Sequence, residues 1–273
     1  MLNGQKEYSC GIIGCIGKDD YGDMLLKELA KVNVQTFLEI TEKDLTSRCG
    51  CGIYKKERCL MPEIRASNKL SSDYINKNLE KILESSIIFI EGYFLIECWD
   101  IVQLLYKKFS ENNKKVAFTM SATFMVEFHF DKVRKLAEDS NLIFCNEEEA
   151  ASFVKMLGKE PKSDEENSRT IHQNLPKKDR LLIITCGKNP VIITEWDYEK
   201  NDFKLNIHSE VNPISNDEIV DTNGCGDAFV GGFMSEYLKN SDIELCAKAG
   251  NYASSVIIKN IGCTYPEKPD FKN

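Results

Sequence analysis

Short apolar runs and amphipathic stretches alternate along this chain. Apolar or half-apolar runs at 10–16, 34–40, 49–54, 87–90, 115–119, 142–145, 181–185 and 191–195 predict strands. Stretches with helical spacing at 20–31, 76–84, 98–112, 147–157, 227–239 and 243–261 predict helices, with helical character also between 125 and 139. In the first of these, Leu25, Leu26, Leu29 and Val32 share one face, and Asp19 or Asp20 is placed to cap it. Lys55-Lys56-Glu57 and 197–202 read as turns, and 158–180, charged and poor in apolar residues, as a surface connection. Strands alternating with helices predict an α/β fold with a mostly parallel sheet covered on both faces. Ligands of such sheets gather beyond the carboxyl ends of the strands. Three candidate motifs follow predicted strands: Asn146 after 142–145, Gly187 after 181–185, and the 221–227 loop after 218–220.

That loop reads Asp221-Thr222-Asn223-Gly224-Cys225-Gly226-Asp227 and runs into a helix whose Phe229, Val230, Phe233, Met234 and Tyr237 recur at helical spacing. Glycines leave the backbone bare where the helix starts. Unpaired amides and the positive end of the helix dipole favour an anion there. Asp227 adds a carboxylate beside it, the pairing that phosphoryl transfer requires: donors for the transferred group and a base for the attacking hydroxyl. A plain cap or dipole partner is the other reading of Asp227. Gly231-Gly232 in the second turn, each costing about 1 kcal/mol relative to Ala, implies close approach by a backbone or a ligand.

At 273 residues the chain has room for one large domain or two small ones. A net charge of -8 without a dense Lys/Arg cluster argues against nucleic acid as a partner. No apolar run has the length of a membrane span, and residues 1–6 lack the apolar core of a secretory signal. The 11 cysteines include no C-x-x-C pair, and Cys49-x-Cys51 is too tight for the usual zinc spacing. Cys10, Cys15, Cys145 and Cys246 read as small core residues of a reducing compartment, the cytoplasm with the nucleus also open. Cys225, at a helix start, is either a reactive thiol or an inert small residue.

Asp-Thr-Asn-Gly-Cys-Gly-Asp-Ala-Phe over 221–229 resembles the signature of the ribokinase-like (pfkB) carbohydrate kinases, and Val230-Gly231-Gly232-Phe233 is similar to the adenosine kinase branch. Asn146-Glu147-Glu148-Glu149-Ala150-Ala151, Ser121-Ala122-Thr123-Phe124 and the tail 262–271 resemble further segments of that branch, in order. The resemblance implies a three-layer α/β/α domain over 1–273 with a partial small β lid at about 34–66. It implies transfer of the γ-phosphoryl group of ATP, with Mg2+, to the 5′-hydroxyl of adenosine by a monomer. Asp227 would be the base, and Asn223, Gly224, Cys225 and Gly226 the anion hole. Asn146 and Glu149 would serve magnesium and phosphate placement, although their spacing is also that of a helix capping box. Arg58 would reach phosphate from the lid. Leu60, Ile64, Phe124 and Phe153 would line the nucleoside, and Thr185, Gly187 and Asn251 the ATP side. No protein side chain is expected to ligate a metal directly.

The family's opening strand, with its ribose-binding Asp and Gly-Gly…Asn segment, has no counterpart before Gly11. Two departures are local: Thr123 stands for the usual Pro and Cys225 for the usual Ala. An incomplete nucleoside half leaves two alternatives beside the kinase: a nucleotide-binding remnant with impaired turnover, or a kinase of another sugar.

Overall fold

The computed structural model describes residues 10–54, 57–266 and 269–271, and the side chains of all of these except 53, 54, 57 and 58. Lys55 and Lys56 of the expected turn, Glu267 and Lys268 of the tail and residues 1–6 lie outside the described residues. The chain divides into two compact units. One takes in the described residues of Met1–Ile53, Arg58–Ser86 and Glu97–Lys108, the other those of Tyr54–Glu57, Ile87–Ile96 and Phe109–Asn273.

The first unit opens with β1 (Gly11–Gly17), α1 (Asp20–Lys31) and β2 (Gln35–Thr41), the two strands pairing in parallel across the helix crossover. Asp19 caps α1 by accepting from the Gly22 amide at 2.9 Å, and its other oxygen accepts from the Thr46 amide at 2.7 Å. Those amides, Thr46 first, hold the Asp19 carboxyl below its ordinary range. β3 (Arg48–Tyr54) and β4 (Glu57–Glu63) form a second two-stranded sheet, so the segment expected as a lid carries β2, β3 and β4. α2 (Ser72–Ile82) follows, capped by Ser71 and starting four residues before the predicted boundary. Cys10 is exposed, contrary to expectation, because β1 buries only its last three residues. Cys15 is in the core as expected.

The second unit is built on one six-stranded sheet. Its elements are β5 (Ile87–Glu91), the short α3 (Phe94–Glu97), only the end of α4 (Trp99–Glu111), whose residues up to Lys108 belong to the first unit, β6 (Lys115–Thr119), α5 (Thr123–Phe128), α6 (Phe130–Asp139), β7 (Leu142–Asn146) and α7 (Glu147–Met156). After them come α8 (Asp164–Asn174), β8 (Leu181–Cys186), β9 (Asn189–Asp197), β10 (Asp202–Ser209), α9 (Cys225–Tyr237) and α10 (Ile243–Ile257). The strand order is β10-β9-β8-β7-β6-β5; β5 to β8 are parallel, and β9 and β10 are antiparallel additions. Alternate residues serve opposite faces. Leu142, Phe144, Leu181, Ile183, Val191 and Ile193 pack with Phe229 and Phe233 of α9 and Cys246 and Ala247 of α10. The intervening Thr194 faces α8 on the other side.

Three expectations change. The stretch 158–180 contains α8, which periodicity missed because its inner face is polar. Ser168 and His172 are fully buried and both bond Thr194, so hydrogen bonds replace the apolar stripe. Burial, aided by Arg180, pushes His172 down to about 3, so it stays neutral. Residues 218–220 are not a strand: the Val220 and Asp221 amides both donate to the Ile258 carbonyl at the end of α10, at 2.9 and 3.2 Å. α10 ends at Ile257 rather than 261.

Candidate active site

α9 shares with α5 and α6 the lack of a side-chain cap, and differs from them in starting on a left-handed glycine. Helices α1, α2, α7, α8 and α10 each start on a capping side chain: Asp19, Ser71, Asn146, Ser163 and Asp242. α9 starts on Gly224, with no side-chain cap. Gly224 has φ +77°, and a Cβ there would lie 2.5 Å from Cys263 Sγ, so both conformation and space demand glycine. Asp221, buried, shapes the approach. Its carboxylate accepts from the Asn223 amide at 2.8 Å and from the Gly262 amide at 3.0 Å, joining the loop to the turn after α10. Ala228 makes the first helical bond, to the Gly224 carbonyl at 2.8 Å.

Of the four residues expected to form an anion hole, Asn223 gives its amide to Asp221, and Cys225 gives its amide to the Thr222 carbonyl at 3.4 Å. The amides of Gly224 and Gly226 have no partner outside the helix among the described residues. No heavy atom lies within 4 Å of where a Gly226 Cβ would stand. Asp227 occupies the first turn and is exposed. Of the glycine pair, Gly232 lies against the Ala249 carbonyl of α10, whereas Gly231 faces open space.

The far end of α9 fixes its direction. Lys115, the first residue of β6, donates to the Tyr237 hydroxyl at 2.6 Å, and midway Phe233 meets Phe144 edge-on at 5.4 Å. The helix thus runs from the carboxyl ends of the strands toward their starts. Its dipole and Asp227 sit at the end where a doubly wound sheet holds ligands.

Asn146 and Glu149 form a complete capping box on α7. The Glu149 amide donates to Asn146 Oδ1 at 2.8 Å, and the Asn146 amide to Glu149 Oε2 at 3.1 Å. Glu149 is buried, and burial pushes its carboxyl up to about 7. The Asn146 amide opposes that rise, while Glu147, Glu91 and Glu148 add to it. Asn146 lies in register with Thr185 of β8, whose hydroxyl donates to the Cys145 carbonyl at 3.4 Å. Gly187 (φ +57°) turns the chain from β8 to β9, with Glu147 Oε1 3.9 Å from where its Cβ would be. Asn146, Glu149, Thr185 and Gly187 therefore gather at the ends of β7 and β8. Asn251 is buried on α10 and donates to the Glu210 carbonyl at 3.1 Å.

Phe124, at the start of α5, is 46 % exposed and pairs with Tyr93, also 46 % exposed, at 5.9 Å between rings. Phe153 is fully buried against Phe130, the placement of a core residue. In the first unit, Arg58 and Leu60 lie on β4 and Ile64 just after it. Leu60 and Ile64 are exposed, and the Arg58 side chain lies outside the described residues.

Sequence reasoning missed Tyr93 and Glu91, and gave Asp221, though part of the motif, no role of its own. An aromatic residue two positions beyond the apolar run 87–90, next to a glycine, was the available signal for Tyr93. Among the described residues no three His, Cys, Asp or Glu side chains gather as a metal site. No helix among them is long and apolar enough to cross a membrane.

The profile of the pfkB family carbohydrate kinases matches residues 9–270. Adenosine kinase 2 of Arabidopsis thaliana is 37% identical over 265 residues, which is 95% of this chain and 74% of that protein. The structure of adenosine kinase from Schistosoma mansoni in complex with 2-fluoroadenosine superposes with a TM-score of 0.88 at 27% identity, covering 96% of this chain and 77% of that one. The same enzyme in complex with adenosine and AMP gives 0.84 at 26% identity, covering 97% and 78%. With the glycine-lined start of α9, its exposed Asp227 and the Asn146–Glu149 box in place, the chain belongs to the pfkB family of carbohydrate kinases, in its adenosine kinase branch.

Proposed function

We propose that this chain transfers the γ-phosphoryl group of ATP to the 5′-hydroxyl of adenosine, releasing AMP and ADP. The observation that carries this reading is the uncapped, glycine-lined start of α9 with exposed Asp227 in its first turn. The relatives and structures described above, among them one holding adenosine and AMP, supply the substrate class.

Asp227 accepts the proton of the 5′-hydroxyl as that oxygen bonds to the γ-phosphorus. The bond from phosphorus to the β,γ-bridging oxygen breaks, and its electron pair leaves with ADP. The amides of Gly224 and Gly226 and the helix dipole face the charge on the equatorial oxygens of the transferred group. Phe124, beside Tyr93, offers an aromatic surface for the base. Thr185 and Gly187, next to Asn146 at the ends of β7 and β8, lie on the side assigned to ATP.

Magnesium fits this site as an ion carried by phosphates and water, because Mg2+ keeps much of its hydration and needs few protein ligands. The carboxylate of Glu149 and the amide of Asn146, already bonded to one another, are the residues to hold that hydration shell. The ion supplies neutralisation of phosphate charge when bound. All eleven cysteines are free thiols, which suits a reducing compartment, the cytoplasm or nucleus.

The test is ADP release measured with ATP and one acceptor at a time. Release with adenosine, and none with ribose or fructose, is the expected result. The opposite preference overturns the substrate assignment, and nucleotide binding without turnover on any acceptor overturns the activity.

A further inference from the structure

Glu91 is a carboxylate that no role above uses. It ends β5, the edge strand of the six-stranded sheet. Alternation puts Ile87, Phe89 and Glu91 in one row. Ile87 packs on the core shared with α9, and Phe89 meets Phe144, which in turn meets Phe233 of α9. The row therefore lies on the side of the sheet where α9 packs, with Phe89 39 % exposed at the sheet edge, and its last member, Glu91, lies toward the start of that helix, where Asp227 stands. Asp227 is near enough for its charge to raise the Glu91 carboxyl, as the smallest of the causes that act on it.

Glu91 is held firmly. Ser121 Oγ donates to its Oε1 at 2.8 Å, and the Tyr93 amide to its Oε2 at 3.1 Å. The Gly92 amide donates back to Ser121 Oγ at 2.8 Å, and the Tyr93 hydroxyl to the Ser121 carbonyl at 3.3 Å. Gly92 permits this clasp: a Cβ there would meet Ser121 Oγ at 2.7 Å and the Met120 carbonyl at 2.8 Å. Ser121 itself is held at φ +69°, a conformation rare outside glycine. Two donors aimed at one carboxylate favour its ionised form.

Resting on the assignment of Asp227 as proton acceptor, we propose that Glu91 is a positioning residue: a second carboxylate, fixed by Ser121 and the Tyr93 amide, that faces Asp227 and makes it a stronger base. A neighbouring negative charge disfavours ionisation and so raises proton affinity. The Ser121 hydroxyl and the Tyr93 amide bond Glu91, the charge of Asp227 on α9 acts on it, and Glu149 of α7 feels the charge of Glu91. Burial pushes the Glu91 carboxyl up; the Ser121 and Tyr93 donors act against that rise, and Asp227 adds to it.

The experiment is a carboxyl-carbon NMR titration of the free protein labelled at aspartate, with Asp227→Asn identifying the Asp227 signal. In Glu91→Gln the Asp227 midpoint is expected to fall by about half a pH unit or more. Glu91→Ala, neutral and without a donor, is expected to give the same direction, and Glu91→Asp to recover part of the difference. An Asp227 midpoint unchanged in both neutral variants overturns the proposal, whichever of them folds less well. With adenosine as acceptor, the acid limb of kcat/KM moves to lower pH alongside. A merely structural Glu91 would raise KM and leave the limb in place. Absence of turnover in the unmodified chain counts against the functional reading alone, because the titration needs no substrate.

Discussion

Helices α7 and α9 both begin at the carboxyl end of the same sheet, and they begin in opposite ways. α7 closes its own end: Asn146 and Glu149 exchange bonds, and the first-turn amide of Glu149 is taken by a side chain. α9 leaves its end to whatever arrives. Gly224 offers no side chain, and the buried Asp221 accepts from the Asn223 and Gly262 amides to shape the approach. A capped start is a stable part of a scaffold, whereas an uncapped one keeps its donors for a ligand and is less stable for it.

Replacing Asp227 by Asn tests the open end most severely. The expected loss in turnover is about 10²- to 10⁴-fold with little change in melting temperature, the size of a general-base contribution. Equal rates would make Asp227 a dipole partner like the acids at the start of α7. Gly224→Ala comes next. The left-handed backbone and the Cys263 contact predict a destabilisation of about 1–3 kcal/mol, read in urea unfolding, with turnover falling alongside. Unchanged stability would mean that the loop relaxes freely. At the closed end, Asn146→Ala removes the cap and should cost about 0.5–2 kcal/mol, again in urea. A turnover loss beyond that stability cost would give α7 a direct share in phosphate handling.

The smallest effect concerns pH. The Glu149 carboxyl, at about 7 in the folded chain against an ordinary 4.5, holds a proton that the unfolded chain has released in between. Its contribution is complete below about 4.5 and is lost as pH rises through about 7. Glu149→Gln should therefore gain melting temperature relative to the parent at pH 8 compared with pH 5. An identical offset at both would place the proton elsewhere.

The four parallel strands of the large sheet were legible because each carries an unbroken apolar run, as the fully enclosed Leu181 to Ile184 does. α1 was legible to the residue, since Asp19 and the Leu25–Leu29 face mark it from both sides of the code. α8 was not, because Ser168 and His172 pack by bonding Thr194, and a polar inner face has no hydrophobic period. β10 was not, because it lies at the sheet edge with alternate residues in water. In the candidate site, the glycines and aspartates of the 221–227 loop stand together in the sequence, but the bonds that take up the Asn223 and Cys225 amides do not show there. Glu91 and Tyr93 could not be read there: what matters about them is a clasp on Ser121, 30 and 28 residues away, which local pattern does not encode.

Asp221 hangs the 221–227 loop from the turn after α10, through the Gly262 amide, and the Val220 and Asp221 amides tie it to the Ile258 carbonyl. Turns outside a sheet open before its strands do. On gentle heating the loop should therefore slacken with that turn while the sheet stands intact, and the chain should stop working well before it melts.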